Sequence, residues 1–276
     1  MVAKGLLRFG TGALLLWAGL VAAMVAGRHT LIYPFVTAPE RMSLAGLPGA
    51  QAQEIRAEDG TPLLVWTVAP APGRPVVLHV TGNRGALASS RSRLALLLAE
   101  GYGVAALVFR GAGGQPGMPS ETALGDDITA LYDRLDRLMP EPVPADRRIA
   151  YGISLGAAVA VHLAAERPVS ALVLEAPFAR LCEVAEHRFP FVPACLLLWD
   201  ERWPSADRIA GIGAPVLILH GADDRTIPLS QAEALFAAAA QPKRLIVYPD
   251  GGHNDLRSHG VVEDILGWLG EIFDAP

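Results

Sequence analysis

A serine between glycines is the first sign of chemistry in this chain of 276 residues. Residues 152–156 read Gly-Ile-Ser-Leu-Gly and place Ser154 in a G-x-S-x-G motif. An apolar run precedes the motif and the alanine-rich stretch 155–165 follows it, as a strand and a helix would. A sharp strand-to-helix turn with glycines on both sides exposes a serine hydroxyl as a nucleophile. A turn whose serine merely caps the helix has the same pattern, so the interpretation depends on residues elsewhere.

Candidates for a base and for an orienting acid follow Ser154 along the chain. Asp223 and Asp224 come just after one apolar run, and His253 lies in a Gly-Gly-His turn just after the next. Hydrolysis by serine needs a histidine to take the hydroxyl proton and a carboxylate to orient that histidine. Each residue alone is also typical of a turn or a helix cap. Their shared position past strand ends, in the order serine, acid, histidine, favours a catalytic triad.

Two backbone amides are candidates for the site that stabilises the oxyanion of the reaction. Leu155 follows the nucleophile directly, and Asn83 lies in the loop after the apolar run 76–80. Arg84, beside Asn83, is unexpected because a cation near a helix start opposes the helix dipole. Either Arg84 faces the site and favours anionic substrates, or it is an ordinary solvated arginine.

Short β-type runs, several of them continuously apolar, alternate with helical stretches from about residue 51 onward. The runs cover residues 53–56, 63–68, 76–80, 104–109, 148–152, 171–174, 216–219 and 245–248. The helical stretches cover residues 86–100, 122–138, 155–165, 229–240 and 261–273. Two initial strands followed by strand–helix alternation predict an α/β fold, with a mostly parallel sheet, an antiparallel N-terminal edge and helices on both faces. The carboxyl ends of parallel strands share one edge of such a sheet, where ligands bind.

Residues 178–208 interrupt the alternation with apolar clusters such as those around Phe191 and Trp199. They predict a cap-like insertion over the site or a surface that dips into a membrane, and ordinary core packing is an equal alternative. Cys182 and Cys195, the only cysteines of the chain, lie in this insertion. A disulfide and two buried thiols are both compatible with their spacing.

The N-terminus has the composition of a membrane segment. Residues 9–27 carry no charge and are long enough to cross a bilayer as a helix. We favour an uncleaved anchor within residues 1–28 over a signal peptide, because the apolar stretch exceeds the usual signal-peptide core. A buried soluble helix is a third alternative. The preceding Lys4 and Arg8 predict a cytoplasmic N-terminus and a catalytic domain on the extracytoplasmic, periplasmic side. Residues 29–50 are expected to form an irregular connector, and residues 51–276 the catalytic domain.

Charge and histidine spacing exclude other classes of function. The net charge is −5 with no block of like charges, so no nucleic-acid partner is expected. The histidines show no metal-ligand spacing, which predicts that no metal is bound. A serine–histidine–acid mechanism requires no cofactor.

Two segments resemble α/β-hydrolases of the serine aminopeptidase and prolyl oligopeptidase-like group. Residues 220–228 resemble the acid loop H-G-x-x-D-x-x-V-P, which implies that Asp224 rather than Asp223 is the catalytic acid. Residues 251–254 are similar to the histidine loop of the same group, which implies the same role for His253.

A third resemblance is to the membrane-anchored, single-pass members of that group. Residues 109–121 resemble their R-G-x-G-x-S…P-S-E loop, with Gln115 where the loop usually has serine. Residues 81–85 depart from the usual H-G-N-A-G, since Thr81 replaces the histidine. The oxyanion donors are backbone groups, so this replacement need not remove them. The resemblance covers residues 50–276 and implies an α/β-hydrolase fold.

The expected function is hydrolysis of carboxylic ester or thioester bonds through an acyl-enzyme, with a small-molecule or lipid-like acyl substrate. Esterases and peptidases share the triad, so a serine peptidase or aminopeptidase is an alternative. A catalytically inactive, membrane-anchored binding module is a second alternative. The expected membrane position and the apolar insertion favour acyl substrates.

Overall fold

A computed structural model describes residues 2–38, 47–85 and 87–274, with side chains from residue 11 onward. Within these residues, eight strands form one sheet in the order β1-β2-β4-β3-β5-β6-β7-β8. They are β1 (Gln51–Arg56), β2 (Pro62–Val68), β3 (Val76–Val80), β4 (Gly103–Leu107), β5 (Arg148–Ile153), β6 (Ala171–Glu175), β7 (Val216–Gly221) and β8 (Lys243–Tyr248). The pairs β1–β2 and β2–β4 are antiparallel, and all other pairs are parallel. The predicted α/β fold with an antiparallel N-terminal edge is confirmed.

Helices cover both faces of the sheet. They are α1 (Val2–Ala26), α2 (Arg28–Ile32), α3 (Arg91–Ala99), α4 (Glu121–Leu138), α5 (Leu155–Glu166), α6 (Leu181–Arg188), α7 (Ala194–Leu197), α8 (Ser205–Ile209), α9 (Leu229–Ala238) and α10 (Val261–Phe273). The core on one face includes residues of α4, α5, α8 and α9. The core on the other face includes residues of α3 and α10. The central strands β3 to β7 are therefore apolar nearly throughout, because both of their faces are covered.

The predicted helix at residues 86–100 begins later in the structure. A 3₁₀ turn occupies Leu87–Ser90, and α3 runs only from Arg91 to Ala99. Residue 86 lies outside the described part of the chain. The other predicted helices agree with α4, α5, α9 and α10 to within two residues at each end.

The described part of α1 packs against the insertion rather than standing alone. Val21 is buried together with Val192, Ala194 and Leu198. The Trp17 indole N–H donates a hydrogen bond to the Phe191 carbonyl at 2.8 Å. Among the described residues, no helix combines the length and the apolar character needed to cross a bilayer. The membrane-spanning helix expected at residues 9–27 is therefore not confirmed.

The expected irregular connector is partly ordered against loops of the α/β fold. Its first residues form α2, which ends before Pro34 because a residue that precedes proline disfavours helical geometry. Residues 33–38 then run along two loops of the domain. The Val36 N–H donates to the Arg84 carbonyl at 2.9 Å, and the Gly113 N–H donates to the Val36 carbonyl at 2.7 Å. The rest of the connector includes residues 39–46, which lie outside the described residues.

The insertion at residues 178–208 divides into two parts with different surroundings. A disulfide joins Cys182 on α6 to Cys195 on α7, so the two cysteines are not free thiols. Helices α6 and α7 lie beside α1 and α2. By contrast, Trp203 is fully buried and Ile209 of α8 belongs to the core under the sheet. Helices α6 and α7 therefore lie in the position expected of a cap, beside the pocket-lining helices α1 and α2. Trp203 and α8 belong to ordinary core packing.

Candidate active site

The turn at Ser154 has the strained geometry that its glycines permit. Ser154 follows β5, begins α5 and has a positive φ of 55°. A Cβ atom at Gly152 would lie 2.0 Å from the Gly156 carbonyl oxygen, and one at Gly156 would lie 2.4 Å from the Thr81 carbonyl oxygen. Since real Cβ atoms do not approach so closely, only glycine fits at both positions. The Ser154 N–H donates to the Glu175 carbonyl at 2.8 Å, which ties the turn to β6.

The structure brings the three predicted triad residues together at one edge of the sheet. His253 Nε2 lies 3.1 Å from Ser154 Oγ, and His253 Nδ1 lies 2.7 Å from Asp224 Oδ2. The loops after β7 and β8 meet because Gly221 allows it: a Cβ there would lie 2.1 Å from the Gly251 carbonyl oxygen. The hydroxyl, imidazole and carboxylate form one continuous hydrogen-bonded chain.

Asp224, not Asp223, contacts the histidine. The Asp224 side chain is buried, and its Oδ1 accepts hydrogen bonds from the N–H groups of Thr226 (2.8 Å) and Ile227 (2.9 Å). Burial acts to raise the pKa of Asp224, but the hydrogen bonds from His253 and from these amides outweigh it, and the pKa lies below its ordinary value. Asp224 is therefore ionised at neutral pH.

His220 supports the acid loop from within the core. Its Nε2 lies 2.9 Å from the Ile227 carbonyl oxygen and 3.5 Å from Asp224 Oδ2. Burial lowers the pKa of His220, so the ring is neutral at pH 7 and donates its Nε2 proton to the carbonyl. It thereby holds the loop whose amides bind Asp224.

The loop that carries Asn83 lies beside the serine. A Cβ atom at Gly82 would lie 3.5 Å from the Cβ of Ser154. Among the described residues, no acceptor takes the N–H of Asn83 or of Leu155. Leu155 is the first residue of α5, where helical N–H groups have no partner within the helix and the dipole is positive. Both N–H groups predicted to bind the oxyanion thus lack an acceptor among these residues, while the side chain of Arg84 is exposed.

A pocket of about 580 Å³ reaches this edge of the sheet. Asn83 and Thr226 line it on the side of the triad. Its other walls are mostly apolar side chains of α1, α2 and the insertion, namely Met24, Val25, Leu31, Ile32, Leu181, Val184, Ala185, Phe189, Val192, Ala194, Leu197 and Leu198. Three arginines complete the lining, Arg28, Arg188 and Arg225. Sequence reasoning missed the contribution of α1 and α2, because α1 was interpreted as an anchor and nearly all of α2 as part of an irregular connector.

A buried ion pair beneath the nucleophile was also missed. Arg93 Nε donates to both carboxylate oxygens of Glu175, at 3.2 and 3.0 Å, and the Tyr151 hydroxyl donates to the same carboxylate at 2.6 Å. Glu175 is also the residue whose carbonyl accepts the Ser154 N–H. The signal available in the sequence was a charged residue at the end of an apolar run, where a buried carboxylate needs a partner.

Comparisons with known proteins agree with this architecture. The family model for serine aminopeptidase, S33, matches residues 74–206. The uncharacterized protein Rv2307c of Mycobacterium tuberculosis is 41% identical over 243 residues, which cover 86% of this chain and 84% of that protein. The lysophosphatidylserine lipase ABHD12 of Danio rerio is 34% identical over 191 residues, or 62% of this chain and 49% of that protein.

Solved structures share the fold at low sequence identity. An esterase of Pyrococcus furiosus superposes with a TM-score of 0.71 at 19% identity, over 87% of this chain and 98% of the esterase. An acylaminoacyl peptidase of Pyrococcus horikoshii superposes with a TM-score of 0.64 at 17% identity, over 82% of this chain and 42% of the peptidase. The fold and the family match together identify the chain as a hydrolytic enzyme of the α/β-hydrolase type. The chain belongs to the α/β-hydrolase superfamily.

Proposed function

We propose that this enzyme is a serine hydrolase that cleaves carboxylic ester or thioester bonds through an acyl-enzyme intermediate. The observation that carries the proposal is the relay from Ser154 Oγ to His253 Nε2 (3.1 Å) and from His253 Nδ1 to Asp224 (2.7 Å). A nucleophile, its base and the group that orients the base are in hydrogen-bonding reach without rearrangement.

In the first half of the reaction, Ser154 Oγ attacks the carbonyl carbon and His253 Nε2 takes the hydroxyl proton. The carbonyl oxygen becomes an oxyanion, which the N–H groups of Asn83 and Leu155 stabilise. When the tetrahedral intermediate collapses, the bond to the leaving group breaks and His253 gives its proton to the departing alcohol or thiol.

In the second half, water replaces the leaving group. His253 removes a proton from the water as the oxygen attacks the acyl-serine, and returns that proton to Ser154 Oγ as the carboxylic acid is released. Asp224 stays ionised in both halves, because its pKa is held below the ordinary value. It fixes the proton on Nδ1 and stabilises the imidazolium that forms twice in each cycle.

The pocket supports acyl substrates. Its apolar walls suit a hydrocarbon chain, whose transfer from water stabilises binding by about 0.8 kcal/mol for each buried CH₂ group. We therefore propose small-molecule or lipid-like acyl esters as the substrate class.

Peptidase action is the second candidate, and the structural likeness to an acylaminoacyl peptidase supports it. An aminopeptidase needs a negative group to bind the free amino terminus of its substrate. No aspartate or glutamate is among the described residues that line the pocket. The lining therefore favours esters over peptides with a free amino terminus.

The proposed location is the membrane, with the catalytic domain on the extracytoplasmic side. Support comes from the uncharged residues 9–27, the basic residues before them, and the disulfide, since disulfides persist in oxidising compartments. Exposed leucines on α1, including Leu15 and Leu16, also suit a lipid surface. Sodium carbonate extraction of cell membranes tests the attachment: release of the full-length chain into the supernatant would contradict it.

The experiment that tests the activity is hydrolysis of p-nitrophenyl esters of increasing acyl length, with aminoacyl p-nitroanilides measured beside them. We expect hydrolysis of the esters by the wild type and none above background by Ser154→Ala. Equal rates for the two proteins would refute the proposal. Faster turnover of the anilides would favour the peptidase, and no turnover of any substrate would favour an inactive binding module.

A further inference from the structure

The loop that carries Asn83 is held by residues 33–36, which precede the first strand of the sheet and which we call the brace segment. Residues 82–85 form a tight turn, closed by the Gly85 N–H on the Gly82 carbonyl at 2.9 Å. Asn83 occupies the second position of this turn, and its N–H has no acceptor among the described residues.

The brace segment contacts this turn through its backbone. The Val36 N–H donates to the Arg84 carbonyl at 2.9 Å, which fixes the peptide that follows Arg84. On the other side, the Val36 carbonyl accepts the N–H of Gly113 at 2.7 Å. One residue therefore ties the turn of Asn83 to the loop after β4.

The ring of Phe35 packs against Gly85, the last residue of the same turn. Gly85 has a positive φ of 70°, and a Cβ atom there would lie 3.3 Å from Phe35 Cδ1 and 2.4 Å from the Cβ of Ala112. Phe35 also stacks on Phe109, with ring centroids 5.5 Å apart. The turn is thus enclosed between the brace segment and the loop after β4.

Buried side chains fix the brace segment itself. The Tyr33 hydroxyl donates to the Glu201 carboxylate and accepts a hydrogen bond from the Trp203 indole N–H at 3.2 Å. Glu201 also accepts the N–H of Glu121 at 3.0 Å. Tyr33, Glu201 and Trp203 are all buried, so the brace segment is anchored in the core rather than lying loosely on the surface.

We propose that Phe35 and Val36 are positioning residues that hold the Asn83 amide where the oxyanion forms; this rests on the proposed serine hydrolase activity. Oxyanion donors act only when they are pre-aligned with the developing charge. A displacement of about 1 Å in such a site can cost about 100-fold in rate. The brace segment thus makes the N-terminal part of the chain a component of the active site.

The test uses the full-length protein with a substitution that removes one hydrogen-bond donor. Val36→Pro lacks the N–H that binds Arg84, whereas the matched control Val36→Ala keeps it and loses only side-chain volume. With a p-nitrophenyl ester, we expect kcat to fall by about 10- to 100-fold in Val36→Pro, while KM changes by less than about threefold, because the interaction is made mainly in the transition state. Because Val36→Ala keeps that N–H, its kcat should fall at least about fivefold less than the kcat of Val36→Pro.

Three further measurements separate positioning from general damage to the fold. A trifluoromethyl ketone forms a tetrahedral adduct with serine, so its affinity should fall in Val36→Pro in parallel with kcat. The pH dependence of kcat/KM should keep its midpoint, because the hydrogen bonds of Ser154, His253 and Asp224 are untouched. A thermal melt is recorded for each variant.

A fully folded Val36→Pro with wild-type kcat would overturn the proposal, as would a fall in kcat with unchanged affinity for the ketone. If Val36→Pro does not fold, Phe35→Ala carries the test, with the same expected split between kcat and KM and the same overturning results. Failure of the proposed function looks different, since wild type and Ser154→Ala would then hydrolyse the ester equally.

Discussion

The two sides of the active site are built in different ways. The side with Ser154, Asp224 and His253 rests on loops at the ends of β5, β7 and β8, held by the sheet and by glycines at close approaches. The other side, which contains the turn of Asn83 and the pocket, is held by segments far away in the sequence: the brace segment, α1, α2 and the insertion. In the proposed mechanism, the first side supplies the reacting groups, and the second supplies alignment and substrate binding. Substitutions on the two sides should therefore give different kinetic signatures.

The largest difference is expected between the adjacent residues Asp224 and Asp223. Asp224→Asn leaves the side-chain shape intact but offers His253 an amide in place of a carboxylate, so kcat should fall by about 10⁴-fold, as for other triads of this kind. Asp223→Asn alters an exposed side chain and should stay within about twofold. Steady-state kinetics of the two variants show which aspartate orients His253. Comparable losses in both would mean that the acid has been wrongly assigned.

A smaller effect should follow Gly85→Ala on the other side of the site. The new Cβ would lie 2.4 Å from that of Ala112 and would have to move the turn of Asn83. We expect kcat to fall by about 10- to 100-fold, through misplacement of a donor. Gly73→Ala is the matched control, because Gly73 has a similar φ of +75° but open space around it.

The control should lose about 1–2 kcal/mol of stability from backbone strain and keep its kcat. Urea unfolding and steady-state kinetics of both variants give the comparison. Equal kcat values for the two variants would show that the turn does not position the donor.

The disulfide should matter for binding rather than for chemistry. Replacing Cys182 and Cys195 together with serine frees α6 from α7, and both helices line the pocket. We expect KM for a long-chain ester to rise by roughly three- to tenfold, or about 0.7–1.4 kcal/mol of lost binding, with kcat nearly unchanged. An acetate ester, too short to need these walls, serves as the internal control. A loss that is the same at every acyl length would argue against the pocket as the acyl site.

The smallest expected effect is on the pH dependence of stability. The pKa of Asp224 is lower in the folded protein than its ordinary value of 3.8. Its contribution to stability is therefore fully present above pH 3.8 and is lost as the pH falls through the folded pKa. In urea unfolding between pH 5 and pH 2, the wild type should lose stability more steeply than Asp224→Asn. Parallel curves would show that the carboxylate is not stabilised in the folded state.

The sequence predicted the side of the site with Ser154, Asp224 and His253 better than the side with Asn83 and the pocket. The central strands were evident because parallel strands covered on both faces are continuously apolar. The positions of Ser154, His253 and the pair Asp223–Asp224 followed from where strands end, and the family resemblance selected Asp224. These features are local in the sequence. The structure places the three side chains in contact, and their catalytic roles stay predictions that the experiments above address.

The remaining parts of the site depend on contacts between distant segments, which no local pattern shows. Residues 29–50 were interpreted as a connector because proline and glycine are frequent there, yet Val36 bonds to Arg84 and Tyr33 to Glu201. The short helices α6 to α8 were missed because each is held by tertiary packing and not by an amphipathic repeat. The ion pair of Arg93 and Glu175 was missed because the two residues are separated by more than one supersecondary unit.

The most direct test of the central claim is to locate the reactive serine chemically. A fluorophosphonate forms a stable bond with a serine only where a base and an oxyanion site activate the hydroxyl. We predict a single adduct on the peptide that contains Ser154, and none in Ser154→Ala, by mass spectrometry of the digested full-length protein. No adduct on the folded wild type, or an adduct on another residue that persists in Ser154→Ala, would contradict the account.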